Sequence, residues 1–170
     1  MSIYFKTGDI CSSNCQYICH QVNCQGKMNS GVAKAIREKW PEVYYEYKAK
    51  YDEAEDFAQN NKFDQDPMPS DYLLGHIQIV NADNKGKYVI NMFAQIQYGY
   101  DGKRYTSYDA FQKCLDEIKA FVPKGSSIAF PARIGCVRGG ANWEVIRTMI
   151  DTVLEPHYEI YIYNLEGDSM

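Results

Sequence analysis

Tyr17-Ile-Cys-His-Gln-Val-Asn-Cys-Gln-Gly-Lys-Met-Asn-Ser-Gly-Val-Ala33 runs from an apolar, β-prone stretch through a glycine-bearing loop into the start of a helix. Val32, Ala33, Ile36 and Trp40 fall on one helical stripe after a cap at Asn29 or Ser30, and Pro41 interrupts it. The passage has a counterpart late in the chain. Ser127–Phe130 reads as a short buried strand that enters Pro131 and the loop Arg133-Ile-Gly-Cys-Val-Arg-Gly-Gly-Ala-Asn142. Trp143, Ile146, Met149, Ile150 and Val153 then form a helix with Asn142 as its N-cap. Strands that alternate with helices in this way need crossovers, which place helices on both faces of a largely parallel or mixed sheet.

The rest of the chain fits that frame. Residues 2–6 are short and β-prone. Pro41 opens a second helix that carries Tyr44, Tyr47 and Tyr51 at 3–4 spacing. Residues 52–71 are polar and lack periodicity, so they are expected as a loop or insertion rather than a domain boundary. Strand signals resume at Tyr72–Val80 and Tyr88–Phe93, with Asn84-Lys85-Gly86 as the turn between them. A helix follows with Tyr108, Phe111, Leu115, Ile118 and Val122 on one face, capped by Thr106 or Ser107, and Tyr158–Tyr163 closes the chain as a strand. The expected fold is α/β: a three-layer α/β/α sandwich around a central mixed, largely parallel sheet, with residues 1–170 as a single domain. In such folds ligands bind beyond the carboxyl ends of strands. The segments to inspect are therefore Gly8–Ile10, Asn23–Gly31, Ala94–Arg104 and Ala132–Asn142.

Composition bounds the partners. The 170 residues carry 18 Lys+Arg against 22 Asp+Glu, a formal charge of −4, with 45% hydrophobic and 24% charged residues, which is globular rather than disordered. A pI near 5.4 argues against a uniformly basic face for long nucleic acid. A small anion remains open, because backbone N–H groups hold phosphate without net positive charge. The first ten residues show neither a charged n-region before an apolar core nor a small-residue cleavage site, and no apolar run approaches about 18 residues. The expected address is the cytosol, with reduced thiols and no membrane partner.

The two glycine loops carry the chemistry. Glycines let main-chain amides approach a ligand, and a helix N-terminus adds partial positive charge. Two such loops facing each other would suit a diphosphate. Neither matches the Walker A or the G-x-G-x-x-G pattern, and each taken alone also reads as a tight strand-to-helix turn.

Gly8-Asp9-Ile10, Val22-Asn23 followed by Gly26-Lys-Met-Asn-Ser-Gly-Val-Ala33, and Pro131-Ala-Arg-Ile-Gly-Cys-Val-Arg-Gly-Gly-Ala-Asn-Trp143 together resemble the macrodomain, a module that binds ADP-ribose. Val89-Ile-Asn-Met-Phe-Ala-Gln95 through Thr106-Ser-Tyr108 is similar to bacterial and phage members. The resemblance spans residues 3 to about 163. It implies that Asp9 accepts from the adenine amino group with the Ile10 backbone beside it, and that Asn23 reaches the distal ribose. It further implies that Ser30, Gly31 and Val32 line one side of the diphosphate and Gly135, Cys136, Val137, Arg138 and Gly139 the other, with Tyr163 flanking the adenine. Read without it, Asp9 caps or turns the chain, Asn23 is a turn asparagine, Arg138 is a solvated cation and Tyr163 is a strand aromatic.

The resemblance also implies three activities. The second loop followed by Trp143-Glu144 is similar to that of ADP-ribose 1″-phosphate phosphatases, the expected reading, although Asn142 stands where many relatives have aspartate. A non-catalytic reader or sponge for ADP-ribose signals is the first alternative, and a hydrolase acting on ADP-ribosylated protein or nucleic acid the second. The lysine and aspartate of the terminal ADP-ribose glycohydrolase type are missing at Ala94-Gln95-Ile96-Gln97 and Val137-Arg138-Gly139, and Lys103 reads as a solvated cation. His20, near Asn23 at a strand end, is the candidate for proton transfer, with Asn23 beside it; its competing reading is a histidine buried in the sheet. Cys11, Cys15 and Cys19 lack C-x2-C spacing and straddle a strand, so no metal is expected. Cys136 beside a helix start is a weak candidate nucleophile. No cofactor is expected, and the expected state is a monomer.

Overall fold

The computed structural model describes residues 3–61, 67–97, 99, 103–137 and 139–165. Six strands, β1 (Ile3–Thr7), β2 (Tyr17–Val22), β3 (Ile77–Asn81), β4 (Tyr88–Phe93), β5 (Ser127–Pro131) and β6 (Glu159–Asn164), form one sheet in the order β1-β6-β5-β2-β4-β3. Only the β3–β4 hairpin is antiparallel, closed by a turn in which Asn84 takes a φ of 57°. The helices are α1 (Gly31–Lys39), α2 (Pro41–Asn60), α3 (Ser70–Leu73), α4 (Tyr108–Phe121) and α5 (Trp143–Leu154).

Alternation along the strands sorts side chains into two cores. Ile18, Val22, Val89 and Phe93 face α1 and α2, where they meet Ile36, Val43 and Tyr47. Cys19, Ile90, Met92, Ile128 and Phe130 face α4 and α5, where they meet Phe111, Leu115, Ile146 and Ile150. These are the three layers expected from the sequence. Ser107 and Asn142 cap α4 and α5 through their side chains, whereas Ser30, at the N-cap of α1, makes no side-chain cap bond.

Two expectations are corrected. The segment read as a loop from residue 52 is helical to Asn60, because Ala54 and Ala58 continue the buried stripe begun by Val43 and Tyr47. Alanines that small give almost no hydrophobic periodicity, so the stripe is hidden in the sequence. Residues 62–66 of that segment lie outside the described residues. The stretch from Tyr72 is not strand throughout either: Ser70–Leu73 forms a helical turn with Leu73 buried, and extended structure starts only at Ile77.

One detail of the sheet positions the site. β2 follows β4 over its whole length, from Tyr17 opposite Tyr88 to Val22 opposite Phe93, and β5 follows β6 from Ser127 to Pro131. Between themselves, β2 and β5 pair only at Tyr17–Ile128 and Ile18–Ala129. Beyond Ile18 the sheet divides.

Candidate functional site

The division opens into a cleft of about 360 Å³ walled by the carboxyl ends of β2 and β5 and by both glycine loops. Asn23, Ser30, Gly31 and Val32 come from one side, Gly135, Val137 and Gly139 from the other, and His20 joins them from β2. Cys136 is not among the lining residues, and Arg138 lies outside the described residues. Asp9 and Ile10 sit past the end of β1, on the same edge of the sheet but outside the cleft walls. Asp9 Oδ1 accepts from Cys11 N at 2.9 Å and so caps the short turn Ile10–Ser12, which Lys39 Nζ ties to α1 through Cys11 O at 2.6 Å. Tyr163 is half-buried against the α1/α2 core.

Several residues lining this cleft have main-chain amides with little to bond. The first turn of α1 lacks a side-chain cap. The N–H groups of Gly135, Val137 and Gly139 make no hydrogen bond to another described residue. Gly31 and Gly135 take φ values of +61° and +73°, the left-handed region where a side chain is disfavoured. Among the described lining residues none is acidic, while Lys27 and Arg133 are basic.

Asn23 organises the first loop. Its Oδ1 accepts from Gln25 N at 3.0 Å, Lys27 N at 3.4 Å and the Tyr47 hydroxyl at 2.7 Å, and its Nδ2 donates to Lys27 O at 3.0 Å. Tyr47, buried on α2 and stacked on Phe93, anchors the strand end through this contact.

His20 is 1% exposed and bonds a side chain of the neighbouring strand rather than the backbone. The donor directions around it can be traced. Glu46 O can only accept, so Gln78 Nε2 donates to it at 2.9 Å; Gln78 Oε1 then accepts from Asn91 Nδ2 at 3.0 Å. Asn91 Oδ1 is left to accept from His20 Nε2 at 2.5 Å. His20 is therefore the Nε2–H tautomer, with Nδ1 buried and unpartnered. Burial pushes its pKa down to about 4, against the opposing pull of the Asn91 bond, so it is neutral at physiological pH.

The cysteines are quiet. Burial raises the Cys11 and Cys136 thiols to about 11 and Cys24 to about 12. Cys19 belongs to the core facing α4 and α5, Cys11 and Cys15 to the other, and among the described residues no group of three ligand-type side chains is placed to hold a metal. Among the described residues, no helix is long and apolar enough to cross a membrane.

A family model described as Macro domain matches residues 19–150, most of the chain and all of the cleft walls. The chain belongs to the Macro domain family. This macrodomain is 28% identical to a Bacteroides thetaiotaomicron protein, solved as one of unknown function, with 97% of this chain and 99% of that one covered and a TM-score of 0.77. It shares its fold with the macrodomain of Mycobacterium tuberculosis DarG, at 18% identity, 95% and 97% coverage and a TM-score of 0.71. It also resembles Thermosipho africanus DarTG solved in complex with ADP-ribose, at 17% identity and TM-score 0.69, covering 98% of this chain and 43% of that one. No curated protein matches the chain.

Sequence reasoning missed Gln21, Gln78, Asn91, Gln95 and Thr106, which carry the side-chain hydrogen-bond chains beside the cleft. The available signal was their polarity at the ends of apolar strands: Gln21 inside Tyr17–Val22, Asn91 inside Tyr88–Phe93.

Proposed function

We propose that this macrodomain binds ADP-ribose or a close derivative in the split between β2 and β5. One observation carries the reading: main-chain amides from two loops, unpaired within the described residues, meet in a cleft with no carboxylate among its described lining residues. Anions bind where such donors converge, and a carboxylate there would repel a pyrophosphate. In this reading Ser30, Gly31 and Val32 hold the diphosphate from one side and Gly135 to Gly139 from the other. Asp9 offers the adenine the oxygen not used for its cap, and the purine lies toward β1 and Tyr163. Asn23 supports the distal ribose by shaping the loop it packs against.

The finer reading is removal of the 1″-phosphate from ADP-ribose 1″-phosphate. Water attacks phosphorus, the bond to the sugar oxygen breaks, and loop amides stabilise the charge that develops on the phosphoryl oxygens. In this reading His20 takes the proton of the attacking water at Nδ1, which is unpartnered but closed to solvent, so the step requires the β2 wall to shift when ligand binds. A second reading, a non-catalytic reader, is favoured by that same nitrogen: a group with a pKa of about 4 is a weak base, and no carboxylate among the described lining residues replaces it. A hydrolase acting on ADP-ribosylated protein or nucleic acid is the least supported. Ala94 is buried and Gln95 is held by Gln21, where the glycohydrolase type has its lysine.

Calorimetric titration with ADP-ribose tests the shared claim: saturable heat is expected, and none up to about 1 mM ligand refutes it. Inorganic phosphate released from ADP-ribose 1″-phosphate separates phosphatase from reader, and ADP-ribose released from a modified protein or oligonucleotide points to the hydrolase.

A further inference from the structure

A second hydrogen-bonded chain crosses the split, and its direction is also fixed. Gln97 O can only accept, so Gln95 Nε2 donates to it at 3.0 Å and Gln95 Oε1 faces Gln21 as an acceptor. Gln21 Nε2 donates to Gln95 Oε1 at 2.6 Å and to Thr106 Oγ1 at 2.7 Å. With its lone pair so used, the Thr106 hydroxyl donates its proton to Gly135 O at 2.7 Å. This orientation leaves Gln21 Oε1 buried without a donor. Turning the Gln21 amide over would pair that oxygen with the Thr106 hydroxyl, but would break the Gln95 contact and release Gly135 O.

At its far end the relay reaches the second glycine loop through Gly135 O, and the main chain beside Thr106 holds the same loop at Gly139 O. Gly135 O accepts from Thr106 Oγ1 and from Ala141 N at 3.1 Å; Gly139 O accepts from Tyr105 N at 2.7 Å and Thr106 N at 2.9 Å. In a trans peptide the C=O points opposite to the N–H of the next residue, so pinning Gly135 O fixes the plane whose N–H, on Cys136, donates to Arg133 O at 2.9 Å, and pinning Gly139 O fixes the plane that carries the Gly140 N–H. The fit is tight: a Cβ on Gly139 would lie 2.1 Å from Thr106 Oγ1, and one on Gly135 would lie 2.7 Å from Gln21 Oε1.

We propose that Gln21 and Thr106 are positioning residues, whose relay holds the second loop at Gly135 O in the shape that walls the cleft for an anionic ligand. The inference rests on the ADP-ribose reading above. It predicts that Thr106→Val, close in volume but unable to donate, raises the Kd for ADP-ribose about tenfold, or about 1.4 kcal/mol. Thr106→Ser, which keeps the hydroxyl, restores binding to within twofold of wild type. Gln21→Leu produces a loss similar to that of Thr106→Val through the other end of the relay. Binding by Thr106→Val within twofold of wild type, or failure of Thr106→Ser to restore it, overturns the proposal. Amide hydrogen exchange over residues 133–141 without ligand provides the separate arm: exchange there speeds up in Thr106→Val and Gln21→Leu if the relay orders the loop, and unchanged exchange overturns it. If wild type binds no ADP-ribose, the binding reading fails, and the exchange arm still decides the relay.

Discussion

Replacing Asn23 by alanine distinguishes a residue that touches ligand from one that builds the loop. The substitution removes four hydrogen bonds, to Gln25 N, Lys27 N, Lys27 O and the Tyr47 hydroxyl, one of them long at 3.4 Å. Tyr47 keeps a partner, since its single hydroxyl proton, shared in the wild type between the two Asn23 oxygens, can turn wholly to the main-chain oxygen at 2.8 Å. At about 0.5–1.5 kcal/mol net for each bond, and less for the long one, the loss comes to about 3 kcal/mol. For a domain of this length that lowers Tm by about 6–12 °C. The assay is a thermal melt of the ligand-free protein, paired with an ADP-ribose titration below the lower Tm. A loop-building asparagine lowers both Tm and affinity. If Asn23→Ala melts within about 2 °C of wild type while affinity collapses, the side chain acts on ligand directly and the loop-organising argument is wrong.

Ser30→Asp gives the first turn of α1 the cap it lacks, so Tm is expected to rise by a few degrees while affinity for ADP-ribose drops at least tenfold, the carboxylate occupying the place of the diphosphate; unchanged affinity would remove the α1 terminus from the site. The His20 pKa of about 4 lies below its unfolded value of about 6.5, so between those values the unfolded chain holds the extra proton and stability falls as pH drops. Denaturation from pH 7.5 to 4 should show a loss of up to roughly 3 kcal/mol attributable to this residue, flattened in a folded His20→Gln variant; parallel curves for the two proteins would contradict the buried neutral imidazole. Native protein treated with iodoacetamide at pH 7.5 should stay essentially unlabelled by mass spectrometry, since burial raises its thiols, and rapid modification of Cys136 would contradict the half-buried setting found for it.

What the sequence made legible was whatever repeats along one element. The stripes of α4 and α5, their caps at Ser107 and Asn142, and the hairpin at Asn84 all lie where periodicity and turn chemistry put them. The second half of α2 was hidden because alanine packs without announcing itself, and the turn at Ser70–Leu73 because four residues are too few for a period. The cleft was legible only in part. The glycines mark both loops, but the relays through Gln21 and through Asn91 join residues 71 to 85 positions apart, and no local pattern records such a pairing. Asn23, chosen from the sequence for the distal ribose, lines the cleft with its side chain committed to the loop.

The brief pairing of β2 with β5 has a mechanical consequence. One half of the molecule, β1, β6 and β5, is laced to the other, β2, β4 and β3, along the sheet by only two residue pairs. A molecule seated in the fork would act as a crossbar between prongs, so occupancy should stiffen the domain across its midline and damp any scissoring of one half against the other. Strand amides at the crotch, Ile18 and Ala129, are then the natural gauges of whether the fork is braced.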